Sequence, residues 1–251
     1  TKNDVAGRLL AKKMKNVLSK EKRYEKAAQS MTQKPLEEEQ IQLFFSDIEP
    51  LAASKVLVRL ENETLSIGQR ILSQGLQLTI RGQEKIGIIG PNGVGKSTLL
   101  AKVHQLLSGK REISLGFMPQ DYQETLQLNL SPVEFLSQTG YKEEIQKIQS
   151  HLASLNFSYP EMHHQIHSLS GGQQGKLLLL NLVMRKPNFL LLDEPTRNFS
   201  PTSQPEIRKL FANYSGGLVT VSHDRRFLKE VCTSIYRLTE HGLEVVDLQD
   251  L

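Results

Sequence analysis

The chain of 251 residues is long enough for one large α/β domain, or for a domain of about 200 residues with an appendage. Its 38% hydrophobic and 23% charged residues are ordinary for a soluble globular protein, and no apolar run approaches the roughly 20 residues that cross a bilayer. One cysteine, Cys232, excludes an internal disulfide, which together with the absence of a signal peptide makes a cytoplasmic setting the expectation.

The chain begins at Thr1 rather than Met, as expected of a fragment. The formal net charge of +4 is unevenly spread. Residues 1 to 35 carry ten Lys or Arg against three acids, which leaves 21 basic against 24 acidic residues in the remainder. Within this segment Val5, Leu9, Leu10, Met14, Val17, Leu18, Tyr24, Ala28 and Met31 fall mostly at helical spacing, with Lys and Arg on the other face. One basic helix is predicted there, facing either solvent or nucleic-acid phosphate. Pro35 ends it, and residues 1–53 read as this helix plus a connector, ahead of a domain at 54–251.

From Lys55 the chain reads as antiparallel strands, "KVLVRLENETLSI" and "LQLTI", with a turn-like "ENE" between or within them. "EKIGIIG" is a short apolar strand, and Ser97 to Leu107 a helix. "ISLGFMPQ" is a strand, and 131–156 holds two helical patterns separated by "QTGY". A helical subdomain is expected at about 121–168. Ser170 to Met184 reads as a helix, "NFLLLDE" as a buried strand, 203–213 as a helix, "GGLVTVS" as a strand and 224–232 as a short helix. Strands alternating with helices predict an α/β fold with a mostly parallel core sheet, joined here to an antiparallel β part and a helical part.

Between the strand ending at Ile89 and the next helix stands Gly90-Pro91-Asn92-Gly93-Val94-Gly95-Lys96-Ser97-Thr98, a G-x4-G-K-S/T pattern in the context its chemistry requires. Its glycines let backbone N–H groups surround phosphate, the helix N-terminus adds partial positive charge, Lys96 reaches the β and γ phosphates, and Ser97 can ligate Mg²⁺. In "NFLLLDEPT" the apolar run delivers Asp193 and Glu194 to a strand end. Such a pair is often only a helix cap or solvated turn, but beside a phosphate loop Asp193 suits the Mg²⁺ shell and Glu194 the attacking water. His163, His164 and His167 cluster without a Cys or acidic ligand set, which argues against a metal site, and Cys232 reads as a small buried residue.

Leu169-Ser170-Gly171-Gly172-Gln173 completes a set that resembles the nucleotide-binding domain of the ABC ATPase superfamily over about residues 54–248. Ser170 caps a helix, and the resemblance implies that Ser170, Gly171, Gly172 and Gln173 serve the nucleotide of a facing ABC domain. It also implies that Gln120 touches Mg²⁺ and water, that His223 contacts the γ-phosphate, and that Ser97, Gln120 and Asp193 hold the metal. The position that stacks on adenine falls at Ile67, which is not aromatic. "SHDRRFL" (222–228), "DEPT" and the Lys-rich segment resemble the ABC-F group, which implies two ABC domains on one chain and action on the ribosome and its RNA, as translation factor or in antibiotic resistance. The other reading is the ATPase subunit of an ABC membrane transporter. The segment "DEPTRNFSP" lacks the aspartate usual in the D-loop, with Asn198 or Ser200 nearby, and Lys176 stands in place of a more usual Arg.

Overall fold

The computed structural model describes residues 43–250; the predicted basic helix lies outside them. The strands are β1 (Val56–Ile67), β2 (Arg70–Arg81), β3 (Lys85–Ile89), β4 (Leu115–Met118), β5 (Phe189–Asp193), β6 (Gly217–Val221), β7 (Ser234–Thr239) and β8 (Gly242–Val246). The helices are α1 (Lys96–Leu107), α2 (Pro132–Leu136), α3 (Lys142–Ser154), α4 (Tyr159–His163), α5 (Gly171–Arg185), α6 (Gln204–Ala212) and α7 (Arg225–Val231).

A six-stranded sheet runs β4-β5-β6-β3-β7-β8, parallel except for β8, while β1 and β2 form a separate antiparallel pair. Every residue of β5 and β6 is buried, as a strand covered on both faces requires. Their period-2 alternation sorts these residues between two cores. Phe189, Leu191, Val219 and Val221 join Ile86, Ile88 and the α1 residues Leu99, Leu100, Val103 and Leu107. Leu190, Leu192 and Leu218 face the other way, onto Leu177 to Leu180 and Leu182 of α5.

The "ENE" stretch lies within β1, where Asn62 takes a φ of 55° and the pairing with β2 is irregular on both sides of Glu63. Lys102 Nζ on α1 meets Glu63 Oε2 at 2.6 Å and so ties the β pair to the helix behind the phosphate loop. The two helical patterns of 131–156 are α2 and α3, and a further five-residue helix, α4, follows them, started by a capping box of Ser158 and Glu161. The β7–β8 hairpin was not read from the sequence. Residues 43–53 lie against the domain: Phe45 packs on Phe211 and Tyr214, Lys186 meets Asp47 at 2.9 Å, and Gln83 Nε2 donates to the Leu51 carbonyl.

The α2–α3 turn is organised by one carboxylate. Glu144 accepts from the backbone N–H groups of Gln138, Thr139 and Gly140 and from the hydroxyls of Ser137 and Thr139. These donors, led by the Gln138 and Thr139 groups, pull its pKa down from 4.5 to about 2. A depressed folded-state pKa stabilises above the unfolded value and the contribution disappears as pH falls through the folded one. Glu144→Gln should therefore lower the melting temperature at neutral pH, and the gap to wild type should close between about pH 4.5 and 2 in thermal unfolding followed by circular dichroism.

Candidate functional site

β3 runs into the glycine loop, and β7 forms the loop's floor: a Cβ on Gly90 would stand 2.7 Å from the Leu238 carbonyl oxygen. At Gly95 φ is 106°, and a Cβ there would lie 2.9 Å from both Leu65 Cδ2 and Leu72 Cδ1. Only glycine lets the β1–β2 pair close over the loop at that point. Helix α1 starts at Lys96 without a side-chain cap, so its first-turn N–H groups are open to an anion. Lys96 Nζ folds back to donate to the carbonyls of Gly90 and Pro91, each at 2.9 Å. Burial lowers its pKa, and the charges of Glu194 and Asp193 oppose that shift.

Across the cleft, β5 ends at Asp193. Burial raises its pKa, against a hydrogen bond from Ser97 and the charges of Lys96 and Arg197. Glu194 follows in the left-handed region at φ 51°, a strained conformation for a residue with a Cβ. The surroundings hold it there: its N–H donates to the Val221 carbonyl at 2.9 Å, and its own carbonyl accepts from Arg197 N–H at 3.1 Å. The turn sends the carboxylate toward the end of β6, where it accepts the His223 N–H at 3.3 Å and stands 3.6 Å from His223 Nε2. Burial raises the Glu194 pKa, and the His223 N–H opposes it.

These groups share one cleft of about 660 Å³. Asn92, Gly93, Gly95, Lys96, Ser97 and Thr98 line one side, with Asp193, Glu194, Gln120 and His223 opposite and Ile67 and Leu72 at the apolar end. Gly90 and Pro91 contribute the carbonyls that hold Lys96, while Val94 packs against the core. Arg197 also lines the cleft, a cation that sequence reasoning treated only as part of a departure from pattern. Its signal was its place three residues after Glu194, where a tight turn returns the side chain to the strand end. The hydroxyl of Ser97, the carboxylate of Asp193 and the amide oxygen of Gln120 form a hard oxygen set at a buried negative charge, which fits Mg²⁺.

Ser170 and its neighbours do not line this cleft. Ser170 caps α5 in a reciprocal box with Gln173, and Gln173 Nε2 donates to Glu161 Oε1 at 2.7 Å, anchoring the turn to α4. Ser170 and Gly171 are exposed, and Gly171 borders an adjoining cleft of about 740 Å³ that Gln120, Ser97 and Asp193 also reach. Lys176 is buried and helps to keep Glu161 charged. Of the histidine cluster, His163 packs on Tyr159 in a tilted arrangement with ring centroids 4.5 Å apart and shares a hydrogen bond with Gln149. Cys232 is buried, its thiol pushed up to about 12 by burial.

An ABC transporter family model matches residues 73–197. The chain is 30% identical over 234 residues to the ribosome protection protein VmlR of Bacillus subtilis, covering 91% of this chain and 42% of that protein. It is 27% identical over 234 residues to ABC transporter F family member 2 of Arabidopsis thaliana, covering 90% of this chain and 34% of the relative. The chain thus spans about a third to two fifths of the length of these relatives. In structure it resembles the ATP-binding cassette MJ0796, solved as a dimer in a post-hydrolysis state bound to ADP and Pi. The TM-score is 0.61 at 20% identity, covering 76% of this chain and 98% of that one. No helix among the described residues is long and apolar enough to cross a membrane.

Lys96→Ala removes the ammonium but no core contact of the sheet. Calorimetry should show affinity for a magnesium nucleoside triphosphate falling by roughly 30-fold or more, the worth of two charge-assisted contacts, with the melting temperature of the ligand-free protein little changed.

Proposed function

The chain belongs to the ABC ATPases, in the F group represented among its relatives, and we propose that its complete form uses ATP-driven closure against a second ABC domain to act on the ribosome. The observation that carries the ATPase part is the convergence of Lys96, Asp193, Glu194, Gln120 and His223 on one cleft while Ser170 stands on the outside, available to a facing domain.

In this reading Lys96 exchanges its two loop carbonyls for the β and γ phosphates, and the open N-terminus of α1 receives the phosphate charge. Ser97, Asp193 and Gln120 would hold Mg²⁺, which when bound neutralises developing charge on the phosphates. Glu194, whose affinity for a proton is raised by burial, orients and polarises the attacking water. His223 stands 3.6 Å from that carboxylate and contacts the γ-phosphate side of the site. Ile67 meets the base by apolar contact. Facing Ser170 and Gly171 from a second domain would complete the phosphate shell, so hydrolysis depends on domain closure.

Support for the ribosomal role comes from the relative named for ribosome protection and from the ten Lys or Arg of residues 1–35, a charge density suited to RNA phosphate. Translation factor and drug resistance are two outcomes of that same contact.

Glu194→Gln keeps the size of the side chain and removes the charge that polarises water. In the complete protein, with the counterpart in the second domain also replaced, hydrolysis should fall about 100-fold or more while ATP affinity stays within a few-fold. The closed protein should then sediment with ribosomes only when ATP is present, and less so at higher salt. Absence of nucleotide-dependent cosedimentation, with a membrane subunit copurifying instead, would replace this reading by that of a transporter ATPase.

A further inference from the structure

Beyond Gln120 the chain turns back into the domain at Tyr122, which is only 4% exposed. Tyr122 meets the signature helix α5 at Gly175. A Cβ added there would lie 3.1 Å from Tyr122 Oη, 3.2 Å from Tyr122 Cε2 and 2.8 Å from Phe199 Cζ. Three segments distant in sequence therefore meet at a point that glycine alone leaves open: the loop carrying Gln120, the helix carrying Ser170, and the stretch after Glu194. One more contact joins the last two of these segments, since a Cβ on Gly172 would stand 3.5 Å from the Asn198 carbonyl oxygen.

Within this junction Tyr122 Oη is buried and has no partner at full hydrogen-bond geometry, although the Asn198 side chain is near enough to interact with it. Leaving a buried hydroxyl unpaired is unfavourable, and phenylalanine would fill the same volume without that penalty. The hydroxyl therefore points to a partner gained in another state. The Asn198 side chain stands beside it, on the exposed rim of the 740 Å³ cleft that Tyr122 and Gln120 also line. Ser200, the other polar residue near the absent D-loop aspartate, is already engaged with the hydroxyls of Thr202 and Ser203, each at 2.9 Å. Asn198 is the side chain of this stretch that can move toward the phenol.

We infer that Tyr122 is a positioning residue: its hydroxyl completes a hydrogen bond with the Asn198 side-chain amide when the segment after Glu194 is pressed by a facing domain, and this bond fixes the loop that carries Gln120. The inference rests on the ATPase reading above and deepens it. Closure at the domain face would be felt at Gln120 through one hydrogen bond and one packed ring.

The test compares Tyr122→Phe, Asn198→Ala and the double variant with wild type in the complete protein, by steady-state ATP hydrolysis and by thermal unfolding without nucleotide. Loss of one neutral hydrogen bond formed on closure should lower kcat about fivefold in Tyr122→Phe, with KM for ATP within about twofold. The nucleotide-free melting temperature should be unchanged or raised, and the double variant should be no slower than either single one. Full wild-type kcat in Tyr122→Phe, fully additive losses in the double variant, or a rate loss matched by loss of thermal stability would each overturn the proposal. The contrast between wild type and Glu194→Gln tests the ATPase reading separately: if that contrast holds and Tyr122→Phe still equals wild type, only the present inference fails.

Discussion

Two carboxylates stand at the end of a strand whose every residue is buried, and the rest of the site is arranged around keeping them charged. Burial raises the pKa of both Asp193 and Glu194, so each relies on partners. Asp193 has the Ser97 hydroxyl with Lys96 and Arg197 near, and Glu194 has the His223 N–H with the His223 ring beside it. Those partners come from three places in the sequence: Lys96 with Ser97, Arg197 just beyond the carboxylates, and His223. A parallel sheet brings them together because β3, β5 and β6 all end at the same edge, the place where open α/β sheets receive ligands.

That edge also explains the strain at Glu194. Continuing β5 by one extended residue would carry the side chain on with the strand, whereas a left-handed residue turns it toward β6 and His223. Hydrogen bonds on both sides of the residue fix the turn, so the unfavourable φ is held by the fold rather than by a ligand. Lys96 is treated in the opposite manner. Its ammonium rests on two carbonyls of its own loop, a hold that phosphate oxygens of full negative charge can displace without moving the backbone.

The motifs that carry local chemistry were legible because each needs particular residues at fixed spacing. Gly95 to Ser97, Asp193 with Glu194, and Ser170 as a helix cap fall where the sequence placed them. So did the largely apolar strands β5 and β6, whose burial on both faces leaves a run without alternation. What escaped depends on tertiary contact. In β7 and β8 the apolar signal is thin, since Val245 is exposed and Arg237 and Glu244 pair across the hairpin, so pairing with β3 rather than pattern makes the strand. Helix α4 is five residues long and exists through its capping box, too short for a period to be read. The packing of residues 43–53 rests on single side chains, Phe45 above all, and one aromatic in a connector carries no signal until its pocket is known. Arg197 was visible as a residue but not as a lining of the cleft, because its position follows from the turn at Glu194.

The polar and apolar ends of the cleft divide recognition unequally. At the polar end lie two cations, an uncapped helix N-terminus, two carboxylates and two amides, all directional groups. Toward Ile67 and Leu72 the wall is aliphatic, and Ile67 is 60% exposed. Aliphatic contact rewards area and does not read the hydrogen-bonding edge of a base, so a wrong base leaves no buried polar group unpaired there. Discrimination in such a cleft falls on the number of phosphates and on the metal, and with the proposed placement of the base at Ile67, purine triphosphates differing only in their exocyclic groups would bind with similar affinity. The same division suits a domain whose output is closure. Under the proposed function what must be sensed is the γ-phosphate, and the groups assigned to it would be joined through Gln120 and the Glu194 turn to the outer face where Ser170 stands.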